Sequence, residues 1–261
     1  MLRLYTSKVS AMIPETLLVK PYFEKYMVLK KFQSGATGDV YHVIDKHRDE
    51  YTIKRYKNKI NHSVIFNEFD KLKHVSSFHN INKMFPQDVK MLYDNSGHHY
   101  LQYRYIDGTS TWTLQYKILK HKNITELKIY IWNICNIAYK LQKYSNITHL
   151  DIKPENLIYK NNTLKFIDFG SSRFLSKNNH GNMIKISKPL GTPYYAAPEI
   201  FKGYYNNTSD VYCIGRTMQF FCDKNMYIDS EGIKLLSNML ELSPTKRPSL
   251  YDILSHRWFS I

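Results

Sequence analysis

Acidic residues are scarce in this chain: 22 Asp and Glu stand against 37 Lys and Arg, a formal net charge of +15 over 261 residues. The basic side chains are spread along the sequence rather than gathered in one arm. That pattern suits a generally positive surface able to attract acidic substrates, nucleic acid or nucleotide. It suits equally an AT-rich genome that favours Lys, Asn, Ile and Tyr codons. Cysteine is rare as well. The three, Cys135, Cys213 and Cys222, lack metal-ligand spacing and lie in or beside apolar stretches of helical period. They read as free thiols in a reducing compartment, so the cytoplasm or nucleus is expected. Neither a secretory signal nor a membrane span is expected, because no long apolar run is present. Repeats and low-complexity tracts are missing too, and the length suits one two-cored domain without a separate regulatory domain.

What is present is concentrated in residues 147–170, which read ITHLDIKPENLIYKNNTLKFIDFG. Asp151 sits two places after His149, Lys153 and Asn156 follow it closely, and Asp168 opens an Asp-Phe-Gly triplet. A strand-turn-strand between the two carboxylates is long enough to fold both into one pocket. In-line phosphoryl transfer spreads charge over three oxygens, so it needs cations and position rather than covalent chemistry. The segment resembles the catalytic loop and D-F-G motif of eukaryotic-type protein kinases. The resemblance implies ATP and Mg²⁺ as cofactors, Asp151 as the base that orients a substrate hydroxyl, and Lys153 as a fixed charge against the transferring group. It implies Asn156 and Asp168 as the metal ligands. The run D-x-K-P-E-N is the serine/threonine form.

Upstream, residues 33–40 read QSGATGDV, so Gly35, Gly38 and Val40 match the family's glycine-rich loop while Gln33 replaces its first glycine. Lys54 fills the phosphate-pairing lysine position and Glu68, with Leu72 on the same helical face, that of its partner. Thr52 stands where the family has Ala, which puts a hydroxyl over the expected adenine face. Tyr103 falls at the gatekeeper position, and Tyr105, Asp107 and Ile158 are implied as further nucleotide-binding residues. Gln33 and Thr52 are expected to make nucleotide binding weaker or more selective.

Downstream, residues 191–199 match the peptide-binding loop and A-P-E motif, with Thr192 implied as a contact of Asp151 and Lys153. Arg247 is implied as the partner of Glu199, and Asp210 as a brace on the catalytic-loop backbone. Leu127, Ile131, Ile134, Ala138 and Leu141 recur at helical spacing, as do Val211, Ile214, Met218 and Phe221. The expected architecture is α+β, a two-lobed protein-kinase fold over residues 1–261. It comprises an N-terminal extension (1–25), a β-rich N-lobe (26–103), and a hinge with a mainly helical C-lobe (104–261). Residues 222–229 are too few for the family's usual helix before Leu235, so a shortened αG region is expected. Exposed core left by that loss would favour a homodimer.

Leu150 replaces the arginine that many kinases neutralise with an activation-loop phosphate, so activity without strong dependence on such phosphorylation is expected. Ser171, Ser172, Ser176 and Ser187 are the serines of that segment. Glu155 matches a residue that related kinases use against a basic substrate side chain. Size, trimming and base composition together resemble the small protein kinases of large DNA viruses such as baculoviruses. That likeness implies a viral protein in a host cell, with a basic DNA-packaging protein among its substrates. The alternative to an active serine/threonine kinase is a pseudokinase or scaffold, motivated by Gln33, Thr52 and the shortened lobe.

Overall fold

The structure, a computed structural model, describes residues 16–19, 24–160, 163–176 and 181–260. Most of the expected extension at 1–25 lies outside them. The described residues group into two compact units.

The first unit takes in residues up to His62 together with Asp88–Tyr105. It holds six strands: β1 (Thr16–Val19), β2 (Glu24–Ser34), β3 (Gly38–Ile44), β4 (Glu50–Tyr56), β5 (Lys90–Tyr93) and β6 (His99–Arg104). They form one antiparallel sheet in the order β1-β2-β3-β4-β6-β5. Aromatic and β-branched residues alternate along these segments, and the period of two sends them to one face. Tyr26, Tyr41, Val43, Ile53, Leu92 and Tyr100 pack there as the core. The other face carries rows Val40–Lys54–Leu101 and His42–Thr52–Tyr103, set by the β3–β4 and β4–β6 registers.

The second unit contains Ser63–Gln87 and the chain from Ile106. Helix α1 (His62–Ser76) therefore groups almost entirely with the helices, although the sequence places it inside an unbroken N-lobe at 26–103. Its contacts give the reason. Asn67 Nδ2 donates to Ser172 O (3.4 Å), and the His74 ring packs edge-to-face on Phe174. Beyond the helix, Phe85 packs edge-to-face on Phe166 and Phe169.

Small strands and helices then alternate: β7 (Thr109–Ser110), α2 (Thr111–His121), α3 (Ile124–Ser145), β8 (Ile147–Thr148), β9 (Leu157–Lys160), β10 (Thr163–Phe166), β11 (Arg173–Phe174) and β12 (Ile184–Lys185). After them come α4 (Pro198–Phe201), β13 (Tyr204–Tyr205), α5 (Ser209–Asp223), α6 (Ser230–Met239) and α7 (Leu250–Leu254). Asn123 caps α3 by accepting from Glu126 N, and Asn146 ends it in the left-handed conformation at φ 55°. The apolar stripes expected on α3 and α5 are fully buried, each Leu or Ile contributing about 1.5–3 kcal/mol. No helix lies between α5 and α6, and α6 starts directly after Asp229, whose side chain caps it. The shortened αG region is thus present. A Cβ at Gly215 would meet Leu240 Cδ2 at 2.9 Å, which shows how closely α5 approaches the end of α6.

Cys135, Cys213 and Cys222 are all free, and burial pushes each thiol up, so they stay protonated. Among the described residues no helix is long and apolar enough to cross a membrane.

Candidate active site

In the second unit, the β9–β10 hairpin pairs Leu157 with Phe166. One step further, Ile167 N donates to Asn156 O (2.9 Å), so Asn156 and Asp168 are brought side by side at the open end of the hairpin. Asn156 closes a 3-10 turn, Pro154–Asn156, started by a proline whose fixed φ suits the first helical position.

Asp151 is held ahead of that turn. Asn156 Nδ2 donates to both Asp151 O (2.9 Å) and Asp151 Oδ2 (3.0 Å), and Lys153 Nζ lies 3.4 Å from the same Oδ2. The other carboxylate oxygen, Oδ1, is buried with no hydrogen-bond partner. A buried carboxylate oxygen without a donor is costly in a resting protein and is what a general base presents to an incoming hydroxyl. Lys153 Nζ also donates to Thr192 Oγ1 (2.5 Å), which ties the peptide-loop threonine to the catalytic loop.

Asp210, fully buried at the start of α5, accepts from Thr148 Oγ1 (2.7 Å), His149 N (3.0 Å) and Leu150 N (2.8 Å). These bonds hold Leu150 at φ 62°, a conformation that costs a β- or γ-branched residue free energy unless its surroundings impose it. Asp151 N donates to His149 Nδ1 (3.3 Å), so the ring proton sits on Nε2, which donates to Ile167 O (3.1 Å). One imidazole thereby joins the catalytic loop to the strand end before Asp168. Phe166 and Phe169 pack edge-to-face on it.

Asp168 is likewise at positive φ (60°), and Gly170 N lies 3.3 Å from its Oδ1. A Cβ at Gly170 would stand 3.2 Å from Asp168 Oδ1 and 3.5 Å from Glu68 Oε2, so both carboxylates flank this glycine. The buried face of α1 presents Glu68 together with Leu72, as the helical spacing predicts. Asp107 pairs with Lys160 on β9, and a Cβ at Gly108 would meet Ile158 Cγ2 at 2.6 Å, which packs this segment on the hairpin.

Donor chemistry suits the metal that the motif implies. Asp168 and Asn156 offer hard oxygens, and the Asn156 nitrogen is committed to Asp151, which turns its amide oxygen the other way. No group of three His, Cys, Asp or Glu able to hold a metal occurs among the described residues. A pair of oxygen donors fits Mg²⁺, which keeps waters and takes phosphate oxygens rather than an all-protein cage.

In the first unit, Lys54 is buried on β4 with its Nζ 5.4 Å from the Tyr56 ring centroid. Thr52 and Tyr103 are register partners on the same face, with Val40 opposite Lys54. Gly35 and Gly38 close a tight turn through Gly35 N→Gly38 O (2.7 Å). The two glycines differ in need. A Cβ at Gly35 has room, whereas one at Gly38 would lie 2.3 Å from Arg55 O, so Gly38 is required by the approach of β3 to β4.

The peptide loop is anchored in three places. Arg247 grips Glu199 with two bonds (2.6 and 2.8 Å), with Ser209 Oγ adding a third to Glu199. Gly191, at φ 76°, passes so close to the catalytic loop that a Cβ would lie 2.4 Å from Leu150 O. Its N donates to Ser171 Oγ (3.1 Å), a contact with no signal in the sequence. Gly191→Ala is accordingly expected to displace Thr192 from Lys153 and lower turnover at least about tenfold, since positions set to within an ångström control such rates. Wild-type turnover in that variant would show that the approach is dispensable.

Leu150 packs with Leu190, Ala196, Ala197, Ile200 and Tyr205, and with Leu175, Ile184 and Ile186 of the segment before the peptide loop. That segment is also paired by β12 with β13. Of its serines, Ser172 is fully buried with its hydroxyl on His149 O, so it is not presented as a modification site. Ser187 is exposed.

Comparison with known proteins gives the same answer from outside the geometry. Residues 26–229 match the family described as protein kinase domain. The chain is 24% identical over 297 residues to calcium-dependent protein kinase 5 of Plasmodium falciparum, covering 93% of this chain and 50% of that protein. It is 28% identical over 177 residues to the Plasmodium berghei kinase of the same name (55% and 30% covered). Against calcium-dependent protein kinase 27 of Arabidopsis thaliana the figure is 29% over 140 residues (41% and 28% covered). The chain spans half or less of the length of these curated relatives. A match over most of the chain, on a fold that seats Asp151, Asn156 and Asp168 together, makes this chain a member of the protein kinase family.

Proposed function

We propose that this protein is a serine/threonine kinase that transfers the γ-phosphoryl group of Mg·ATP to protein hydroxyls in the cytoplasm or nucleus. The observation that carries the reading is the buried, partnerless Oδ1 of Asp151, beside a lysine bound to Thr192. Asp151 orients the acceptor hydroxyl by its Oδ1. The hydroxyl oxygen forms the new bond to the γ-phosphorus, the bond from that phosphorus to the β–γ bridging oxygen breaks, and the hydroxyl proton passes to Asp151. Lys153 supplies positive charge to the transferring oxygens, and Thr192 fixes where Lys153 points. Lys54 engages the α and β phosphates. Asp168 and Asn156 would hold Mg²⁺, which when bound would supply positive charge at the phosphates.

Leu150 supports activity that does not wait for a phosphate. In place of a cation needing neutralisation, this position holds an apolar side chain whose partners include three residues of the activation segment. Ser187→Ala and Ser187→Glu are each expected to change turnover by less than about threefold, the scale of an ordinary surface substitution. A change of orders of magnitude in a steady-state assay would refute this.

The test of the function is labelled γ-phosphate transfer to a mixed panel of basic and acidic proteins, with Asp168→Asn and Lys54→Met beside the wild type. Transfer to Ser or Thr that vanishes in both variants supports the kinase. Nucleotide binding without any transfer moves the reading to a scaffold. A viral source, a basic DNA-packaging substrate and a homodimer rest on size, composition and trimming alone, and the relatives named above add nothing to them.

A further inference from the structure

Arg55 stands next to Lys54 on β4, so the alternation of the strand sends its side chain to the opposite face of the sheet from the phosphate-pairing lysine. There the row Asp39–Arg55–Tyr100, set by the β3–β4 and β4–β6 registers, borders the apolar core. Beside that row lies a cavity of about 200 Å³ lined by Asp39, Arg55, Tyr56, Lys57, Asn58 and His98. Its two permanent cations have only neutral partners. Arg55 Nη2 lies 3.0 Å from His98 Nε2, and Lys57 Nζ donates to Gly35 O (2.7 Å); neither makes an ion pair among the described residues. The nearby carboxylates are taken by other donors. Asp39 is paired with Lys31 (3.4 Å) and hydrogen-bonded by Ser34, while Asp94 accepts from Tyr100 Oη (2.6 Å), Ser96 N (2.8 Å) and His98 N (3.0 Å).

The guanidinium is held in place. It only donates, so His98 Nε2 accepts from it and the ring proton sits on Nδ1, 3.1 Å from Asp94 Oδ2. Two positive charges that border a cavity and have only neutral acceptors gain by taking up negative charge, since charge-assisted hydrogen bonds are about twice as strong as neutral ones. The forked donors of Arg55 and the point charge of Lys57 match a tetrahedral dianion better than a single carboxylate. The cavity is smaller than the range of about 300–1,000 Å³ that takes whole small molecules, so it suits a charged headgroup and not a nucleotide. We propose that Arg55 and Lys57 form a binding site for a phosphate dianion, free or carried on a side chain, on the sheet face away from Lys54, with His98 as the positioning residue for Arg55. The site is separate from phosphoryl transfer and stands whether or not the chain is an active kinase.

The test is equilibrium binding to the full chain, at fixed ionic strength, of inorganic phosphate and of a phosphoserine peptide beside its unphosphorylated twin. Arg55→Gln and Lys57→Gln are each expected to weaken phosphate at least about tenfold, the scale of a lost charge-assisted hydrogen bond, whereas Lys54→Met on the opposite face binds it as the wild type does. Lys57 is exposed, so its variant keeps the test standing if Arg55→Gln fails to fold. His98→Ala weakens phosphate by a smaller factor, and His98→Gln, whose amide oxygen accepts from Arg55, retains it. A phosphopeptide held tighter than inorganic phosphate identifies a phosphorylated side chain as the ligand, and one held no tighter identifies the free anion. Binding that survives in both Arg55→Gln and Lys57→Gln, or that is lost in Lys54→Met, would overturn the proposal. So would a wild type that neither binds inorganic phosphate at millimolar concentration nor tells the phosphopeptide from its twin.

Discussion

Asp151→Asn is expected to lower γ-phosphate transfer about a thousandfold while leaving the thermal midpoint and ATP affinity near those of the wild type, because only the proton acceptor is lost. The geometry separates the two effects. Asparagine keeps an oxygen to accept from Asn156 Nδ2 and fits the same space, but it cannot take the hydroxyl proton at the position of the partnerless Oδ1. It also removes the charge 3.4 Å from Lys153, so Lys153 would lean on Thr192 alone. Labelled-phosphate transfer, a thermal melt and ATP titration on one preparation decide the matter. Transfer within tenfold of wild type would take Asp151 out of its role, and a large fall in midpoint would make the residue structural instead.

Arg247→Ala is expected to destabilise the protein by about 3–5 kcal/mol, the cost of leaving one member of a buried ion pair alone. The Arg247 side chain is fully buried, bonded to both Glu199 oxygens, to Glu241 O (2.8 Å) and to Thr208 O (3.3 Å), with its guanidinium carbon 5.0 Å from the Tyr212 ring centroid. Without it the Glu199 side chain, 5% exposed, keeps only the hydrogen bond from the Ser209 hydroxyl. At roughly 2–4 °C per kcal/mol for a chain of this size, the midpoint should fall by about 10 °C in a calorimetric scan. The paired change Arg247→Met with Glu199→Leu should recover much of the loss, since removing both charges leaves nothing buried and unpaired. An Arg247→Ala midpoint within about 2 °C of wild type would mean that water or a rearranged loop takes over the pair.

Short-range chemistry was legible and long-range closure was not. The stripe from Leu127 to Leu141 predicts its own burial because residues at steps of four and three share a helical face whatever the partner. The spacing around Asp151 and Asp168 is local in the same sense: one hairpin suffices to bring Asn156 beside Asp168. Gly38 was legible as a match to the glycine-rich loop, but the structure gives a different reason for it, the carbonyl of Arg55 at 2.3 Å from any Cβ. In the sequence Ser172 is simply one of four serines in a polar segment. It is buried because the strand pair β11–β8 draws it under the catalytic loop, a contact made across residues distant in sequence.

By itself the sequence determined the family and the order of the motif residues along the chain, because motif spacing, strand alternation and helical period act over a few residues at a time. Only the tertiary structure decided which of those groups are left unsatisfied and which are restrained. The partnerless oxygen of Asp151, the apolar setting of Leu150 and the grouping of Ser63–Gln87 with the helical unit all depend on segments far apart in the chain. Burial and hydrogen-bond satisfaction are properties of the closed chain, where each polar group competes for partners that local sequence cannot name.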